Sequence, residues 1–168
     1  MIIGCSGAGK STLARQLGPL LALPVVHLDQ LYWLPGWRTR SRADFDALLD
    51  AELAKPRWLM DGNFDRTLAH RLAACDTVIY LDYPRHVCLR RVGKRVLSNW
   101  GHRRPDMADG CPEKLDIAFL GWVWGFRRRY SAKYDALLAG CGRRVYRFRS
   151  PKACEAWVRA LQSGPSGR

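Results

Sequence analysis

Short apolar runs alternate along this chain with longer stretches in which apolar residues recur every three or four positions. Met1-Ile2-Ile3 reads as the tail of a buried strand that runs straight into a glycine-rich turn. Strands usually have about five or six residues, so either the start codon lies upstream or this strand is unusually short. From Lys10 a helix is predicted, with Leu13, Leu17, Leu20 and Leu21 on one face, ended by Pro24. Val25-Val26-His27-Leu28 predicts a second strand closed by Asp29. Tyr32 to Arg42 reads as a loop rich in aromatics and arginine around Pro35-Gly36. The next helix spans about Ala43 to Ala54, with Phe45, Leu48, Leu49 and Leu53 inward and Asp44, Asp46 and Asp50 outward. Trp58-Leu59-Met60 is a third strand, ended by Asp61-Gly62-Asn63. Thr77 to Leu81 is a fourth, ended by Asp82 and Pro84. A helix follows from Arg85 to Ser98, then a Gly/Pro-punctuated loop from Asn99 to Pro112. The helix from Glu113 to about Leu138 places Leu115, Phe119, Trp122 and Phe126 on an inward stripe. Val145 to Phe148 is the last strand, and Ala153, Ala156, Trp157, Ala160 and Leu161 define a final helix.

Apolar strands alternating with amphipathic helices predict an α/β fold of three layers, α/β/α, with a parallel sheet covered on both faces. The length of 168 residues suits one domain, 1–162, with 163–168 read as a disordered tail. No apolar stretch nears the roughly 20 residues of a membrane span, and no signal peptide is visible, which makes the cytoplasm the default. The six cysteines are scattered without a C-x-x-C pair, the pattern of reduced thiols. The net charge of +13 attracts polyanions, whether nucleic acid, anionic membrane surface or phosphorylated small molecules.

Gly4-Cys5-Ser6-Gly7-Ala8-Gly9-Lys10-Ser11 matches the P-loop pattern G-x-x-x-x-G-K-[ST] in full. Chance produces it on the order of once per 10⁴ to 10⁵ positions, and here it lies between a predicted strand and a predicted helix. Glycines let backbone N–H groups turn toward a phosphate, and the new helix adds its positive end. Lys10 would reach the β- and γ-phosphates of ATP and Ser11 would ligate Mg²⁺. Thr12 completes the nucleotide-binding stretch.

Ligands of open α/β sheets bind at the carboxyl ends of the strands, the edge that holds Asp29, Asp61 and Asp82. Asp29 and Asp61 are placed to order Mg²⁺ through water or to hold an acceptor, whose hydroxyl proton one of them could take. Each could equally cap a helix or bond a loop. Gly62 would let the backbone approach a ligand, and Asn63 can both donate and accept. From Arg85 to Arg104 the chain carries Arg90, Arg91, Lys94, Arg95 and Arg103 and no acid. Arg91 and Arg95, one turn apart, with Arg103 and Arg104 beyond them, suit a lid over a transferring phosphoryl group. A solvated basic face or a nucleic-acid patch is the competing reading.

His27-Leu28-Asp29-x-Leu31-Tyr32-Trp33-x-Pro35-Gly36-Trp37, Met60-Asp61-Gly62-Asn63 and Arg104-Pro105-Asp106-Met107-x-x-Gly110-Cys111-Pro112-Glu113-Lys114 follow the P-loop in order. Nearly the whole chain thereby resembles the small P-loop proteins called DNA topology modulation proteins, which are similar to adenylate kinases. The resemblance implies the nucleoside-monophosphate-kinase and shikimate-kinase fold, a five-stranded parallel sheet in the order 2-3-1-4-5 with a mobile lid, here about residues 99–112. It puts Asp29 and Asp61 at the acceptor and metal side, and Arg104-Pro105 is similar to the lid Arg-Pro of shikimate kinases. The chain departs where adenylate kinases carry a nucleotide-recognition helix pair and this one carries Tyr32, Trp33 and Trp37. These aromatics could stack on a base or sugar, or pack the loop.

The reading that follows is a cytosolic kinase, monomer or homodimer, moving the γ-phosphoryl of Mg-ATP to a small acceptor such as a nucleotide or nucleoside. Lys10, Asp29, Arg95 and Arg104 are the expected catalytic residues, Ser11 and Asp61 the metal side. Asp29, Tyr32, Trp37, Gly62, Asn63 and Arg91 would bind the acceptor. Weak nucleic-acid binding by the basic surface is expected, and two rivals remain: a nucleic-acid-binding regulator of DNA topology that uses the P-loop as a switch, and a plain NTPase.

Overall fold

The computed structural model describes residues 1–102 and 104–163. The elements in chain order are β1 (Ile2–Gly4), α1 (Lys10–Leu20), β2 (Val25–His27), α2 (Leu28–Tyr32), β3 (Trp33–Leu34), β4 (Arg38–Thr39) and α3 (Arg42–Leu53). Then come β5 (Leu59–Asp61), a 3₁₀ turn over Asp65–Thr67, α4 (Leu68–Ala74), β6 (Thr77–Leu81), α5 (Arg85–Ser98), α6 (Ile117–Ala139), β7 (Arg144–Phe148) and α7 (Pro151–Ser163).

Successive strand side chains point to opposite faces of a sheet, so a strand buried at every position must be covered on both. Ile2, Ile3, Leu59, Met60, Val78, Ile79, Tyr80 and Leu81 are all buried. Helices therefore lie on both faces, and the three-layer α/β fold holds. The main sheet is parallel throughout, in the order β2-β5-β1-β6-β7. Leaving out the separate β3-β4 hairpin, that order is 2-3-1-4-5. Fully burying Ile2 and Ile3 contributes roughly 1.5–3 kcal/mol each.

Several local details differ from the periodicity. Helix α1 ends at Leu20, before Pro24, because Ala22 turns left-handed at φ 49°. Leu20, Leu21 and Leu48 are exposed, since the buried faces run through Leu13, Ala14 and Leu17 and through Phe45 and Leu49. Leu28, expected to end the second strand, instead begins a one-turn helix, and the expected loop from Tyr32 to Arg42 contains an antiparallel hairpin turned at Pro35-Gly36 with Gly36 at φ 76°. Ser41 caps α3 by accepting from Asp44 N. Helix α6 starts at Ile117 rather than Glu113, because the Asp116 side chain caps it by accepting from Phe119 N. Leu115 thus lies outside the helix and is exposed. In α7 the inward residues are Cys154, Trp157 and Val158, while Ala153, Ala156, Ala160 and Leu161 face out. That helix runs through Ser163, whose Oγ donates to Arg159 O, and the rest of the expected tail lies outside the described residues.

Two glycines test the packing. Gly7 sits at φ +80°, and a Cβ there would lie 2.4 Å from the Cys88 carbonyl oxygen on α5. Gly93, in the middle of α5, has nothing within 4 Å of its virtual Cβ. Gly7→Ala should destabilise by about 2–5 kcal/mol through left-handed strain and overpacking. Gly93→Ala should stabilise by about 0.5–1 kcal/mol through helix propensity. Urea midpoints of the two variants check the pair.

Candidate functional site

Strand β1 ends at Gly4, and the loop from Gly4 to Gly9 delivers the chain into α1 with glycines at φ 146°, 80° and 98°. A side chain at Gly4 would meet the Leu81 carbonyl oxygen at 2.5 Å, so the loop leaves the sheet in contact with β6. Lys10 Nζ arches back and donates to Gly4 O at 2.9 Å and Cys5 O at 3.1 Å, which holds the ammonium across its own loop. Arg91 braces the loop from α5, donating to Ala8 O at 2.9 Å. Its guanidinium is therefore tied to the loop backbone, although it also lines the cavity described below.

Under the loop lies Asp61, at the end of β5 and only 4% exposed. Ser11 Oγ donates to its Oδ2 at 2.7 Å, and His27 Nδ1 is hydrogen-bonded to its Oδ1. The His27 contact follows from register, since His27 and Asp61 are direct partners on adjacent parallel strands. Burial opposes charge on His27, but the hydrogen bond to Asp61 and the Asp61 charge outweigh it and raise the imidazole pKa. Among the described residues no group of three or more His, Cys, Asp or Glu is arranged to hold a metal ion. One serine hydroxyl backed by a buried carboxylate does fit a magnesium ion carried in by phosphates, which keeps most of its water.

The turn after Asp61 is held by a residue that sequence patterning did not single out. Arg71 on α4 has 0% exposure, and it donates to the Gly62, Asn63 and Phe64 carbonyls and to Thr67 Oγ1. With no carboxylate in that set, burial pulls its pKa down to about 10. The turn so fixed sends Asn63 Oδ1 to accept from Gly4 N at 2.9 Å. Gly62, at φ 139°, is needed because a Cβ would lie 2.8 Å from Leu28 Cβ. Asn63 and Gly62 thus support the phosphate loop and the packing of α2, and both border the cavity.

That cavity, of about 840 Å³, opens over the P-loop. Its volume lies within the range of small-molecule sites. Asp29 lines it from α2; its backbone carbonyl accepts from Trp33 N, while its carboxylate has no hydrogen bond to a described residue. Burial raises the Asp29 pKa, while the charges of Lys10 and Arg104 oppose the rise. Trp33 and Trp37 enter from the hairpin, and Phe119 and Trp122 from α6. Tyr32 does not line the cavity; its ring sits 4.9–5.5 Å from those of Trp33, Phe45 and Phe64, in the packing role.

Hairpin and lid close on each other. Gly36 N donates to Gly110 O at 2.8 Å, Trp37 Nε1 to Pro112 O at 3.0 Å and Gln30 Nε2 to Pro105 O at 2.8 Å. The lid arginines reach the cavity already paired. Arg95 donates to Glu113 Oε1 at 3.1 Å, and Arg104 lies 2.7 Å from Glu113 Oε2 and donates to Asp106 Oδ2 at 2.8 Å. Burial, and then the Arg104 charge, lowers the Arg95 pKa. Arg103 lies outside the described residues. Asp82, though on the ligand edge, is taken by Arg147 at 2.7 Å and Arg127 at 3.4 Å, so part of the basic surface serves the fold. All six cysteines are free thiols. Contact with Cys88, with burial, drives the Cys5 pKa up, and its buried Sγ faces the Val123 carbonyl of α6.

No family model matches the chain. The uncharacterised protein YqaC of Bacillus subtilis (strain 168) is 29% identical over 126 residues, covering 73% of this chain and 68% of that protein. Among solved structures, deoxyadenosine kinase from M. mycoides with bound dCTP aligns over 96% of this chain and 97% of its own. The identity is 16% and the TM-score 0.45, values that bear on neither substrate nor mechanism here. No helix among the described residues is long and apolar enough to cross a membrane.

Replacing Arg71 by Met keeps the bulk and leaves three carbonyls, of which that of Gly62 is buried, without their donor. Arg71→Met should cost about 2–4 kcal/mol. The measurement is an equilibrium urea titration, with Lys133→Met on the surface as the control of near-zero effect.

Proposed function

We propose that the protein is a magnesium-dependent kinase that moves the γ-phosphoryl group of ATP to a hydroxyl of a small acceptor. The observation that carries this reading is that one cavity is lined both by the Lys10–Ser11 end of the P-loop and by Asp29, whose carboxylate has no hydrogen bond to a described residue. Loop amides and the start of α1 would bind the phosphates, with Lys10 exchanging its two carbonyl partners for phosphate oxygens. Ser11, backed by Asp61, would hold the magnesium ion, which when bound neutralises phosphate charge and orients the transferring group.

Asp29 would accept the proton of the acceptor hydroxyl. A general base works best with a pKa near the working pH, and burial moves this carboxyl in that direction. Lid Arg95 and Arg104 would stabilise charge on the transferring oxygens. Both are already oriented by Glu113, so they need little reorganisation. Trp33, Trp37, Phe119 and Trp122 give the acceptor side flat apolar walls, which suit a ring-bearing acceptor such as a nucleoside or nucleotide.

The test is γ-labelled ATP offered with a panel of nucleosides, nucleotides and sugars, scored for the product that gains label. Label appearing only in inorganic phosphate would replace the kinase reading by hydrolysis. Lys10→Ala should remove most ATP binding with little change in thermal midpoint, because Lys10 contacts loop carbonyls and no core side chain. Asp29→Asn should lower turnover by about 10²-fold or more with nearly unchanged ATP affinity. In the parent protein the base must be ionised. Its raised pKa therefore predicts that turnover falls with acid through a pKa above the ordinary carboxylate value of about 3.9. An acid limb that survives in Asp29→Asn would remove Asp29 from that role.

A further inference from the structure

Asp106 has no part in the chemistry above, yet the fold buries its carboxylate to 7% exposure at the phosphate end of the cavity. Its placement is over-determined. The turn that carries it is closed by Met107 N donating to Arg104 O, and the Met107 side chain is buried. The preceding carbonyl, Pro105 O, is held by Gln30, the neighbour of Asp29. Arg104 donates to Asp106 Oδ2, and Arg15 NH1, on the helix that opens with Lys10 and Ser11, lies 3.9 Å from Oδ1. Neutralising Arg104 does not account for this arrangement, since Glu113 already offers Arg104 a carboxylate at 2.7 Å.

We propose that Asp106 makes nucleotide binding depend on the divalent cation, by repelling the free triphosphate and favouring the metal-bound one. The inference rests on the nucleotide reading of the P-loop. A triphosphate docked on Lys10 and Ser11 comes within a short distance of Asp106, in a crowded site where like charges are poorly screened. A metal ion beside Ser11 reverses the sign of that interaction. Asp61 is less suited to the same discrimination, because its two oxygens face Ser11 and the imidazole of His27. The Asp106 carboxylate thus adds a fixed negative charge beside Arg104 and Arg15, whereas Glu113 is engaged by Arg95 and Arg104.

The experiment titrates the full chain with ATP, once with excess Mg²⁺ and once in EDTA, and takes the ratio of the two affinities. The parent protein should prefer the magnesium form strongly. Asp106→Asn should bind free ATP more tightly and Mg-ATP no better than the parent, shrinking the ratio by at least about tenfold. Asp106→Glu, which keeps the charge, should retain most of the ratio. Asp106→Ser removes the charge with less bulk and must shrink the ratio as the Asn variant does; it serves if the Asn variant does not fold. Thermal midpoints confirm that each variant is folded. A neutral variant whose ratio stays within about twofold of the parent overturns the inference, as does a Glu variant that loses the ratio as fully as Asn does. A parent protein that binds ATP equally in both conditions overturns it too, while leaving the P-loop reading standing. A parent that binds ATP in neither condition removes both.

Discussion

Asp61 is the point on which the site depends. Its carboxylate is buried, and burying a charge is costly unless hydrogen bonds meet it. Here two come from different parts of the chain: Ser11 at the start of α1 and His27 at the end of β2. The parallel register sets His27 beside it, and the strand that follows the other edge of β5 leads directly into the phosphate loop. Satisfying that one carboxylate therefore fixes the loop, the first helix and the strand leading to Asp29 relative to one another. The bond to Asp61 also gives the Ser11 hydroxyl a defined direction at the start of α1.

Around this node the protein relies on backbone carbonyls and their donors more than on ion pairs. Arg71 binds three carbonyls of the turn after Asp61, Arg91 binds Ala8 O, and Lys10 binds Gly4 O and Cys5 O. An arginine that meets carbonyls keeps its full positive charge near the site without adding a compensating acid. The result is a cradle with surplus positive charge, suited to a polyanion. The acids that line the cavity are Asp29 from α2, Asp106 and Glu113 from the lid and its end, Asp116 at the start of α6 and Glu155 on α7, and none comes from the loop itself. Burial shifts Asp29 toward its neutral form, whereas the charge of Arg104, opposing burial, keeps the Asp106 pKa low. The pKa values of two carboxylates in one cavity are thereby shifted in opposite directions.

The amino-acid sequence by itself determined the sheet, the phosphate loop and the strand-end carboxylates. Those signals are local: a run such as Thr77 to Leu81 is apolar at every position only if both faces are covered, and glycines at positions 4, 7 and 9 mark backbone that L side chains rarely adopt. Tertiary structure decided what local pattern cannot encode. The pairing of His27 with Asp61 needs the register of two strands separated by more than thirty residues in the chain. Arg71 looked like one more charge on a short helix until the Gly62–Phe64 carbonyls converged on it. Tyr32 and Trp37 share one aromatic segment, yet packing turned the first into the core and the second toward the cavity and the lid. The lid arginines were legible as a basic cluster, but their partners Glu113 and Asp106 were not, because an ion pair is selected by the folded path of the chain and not by spacing along it.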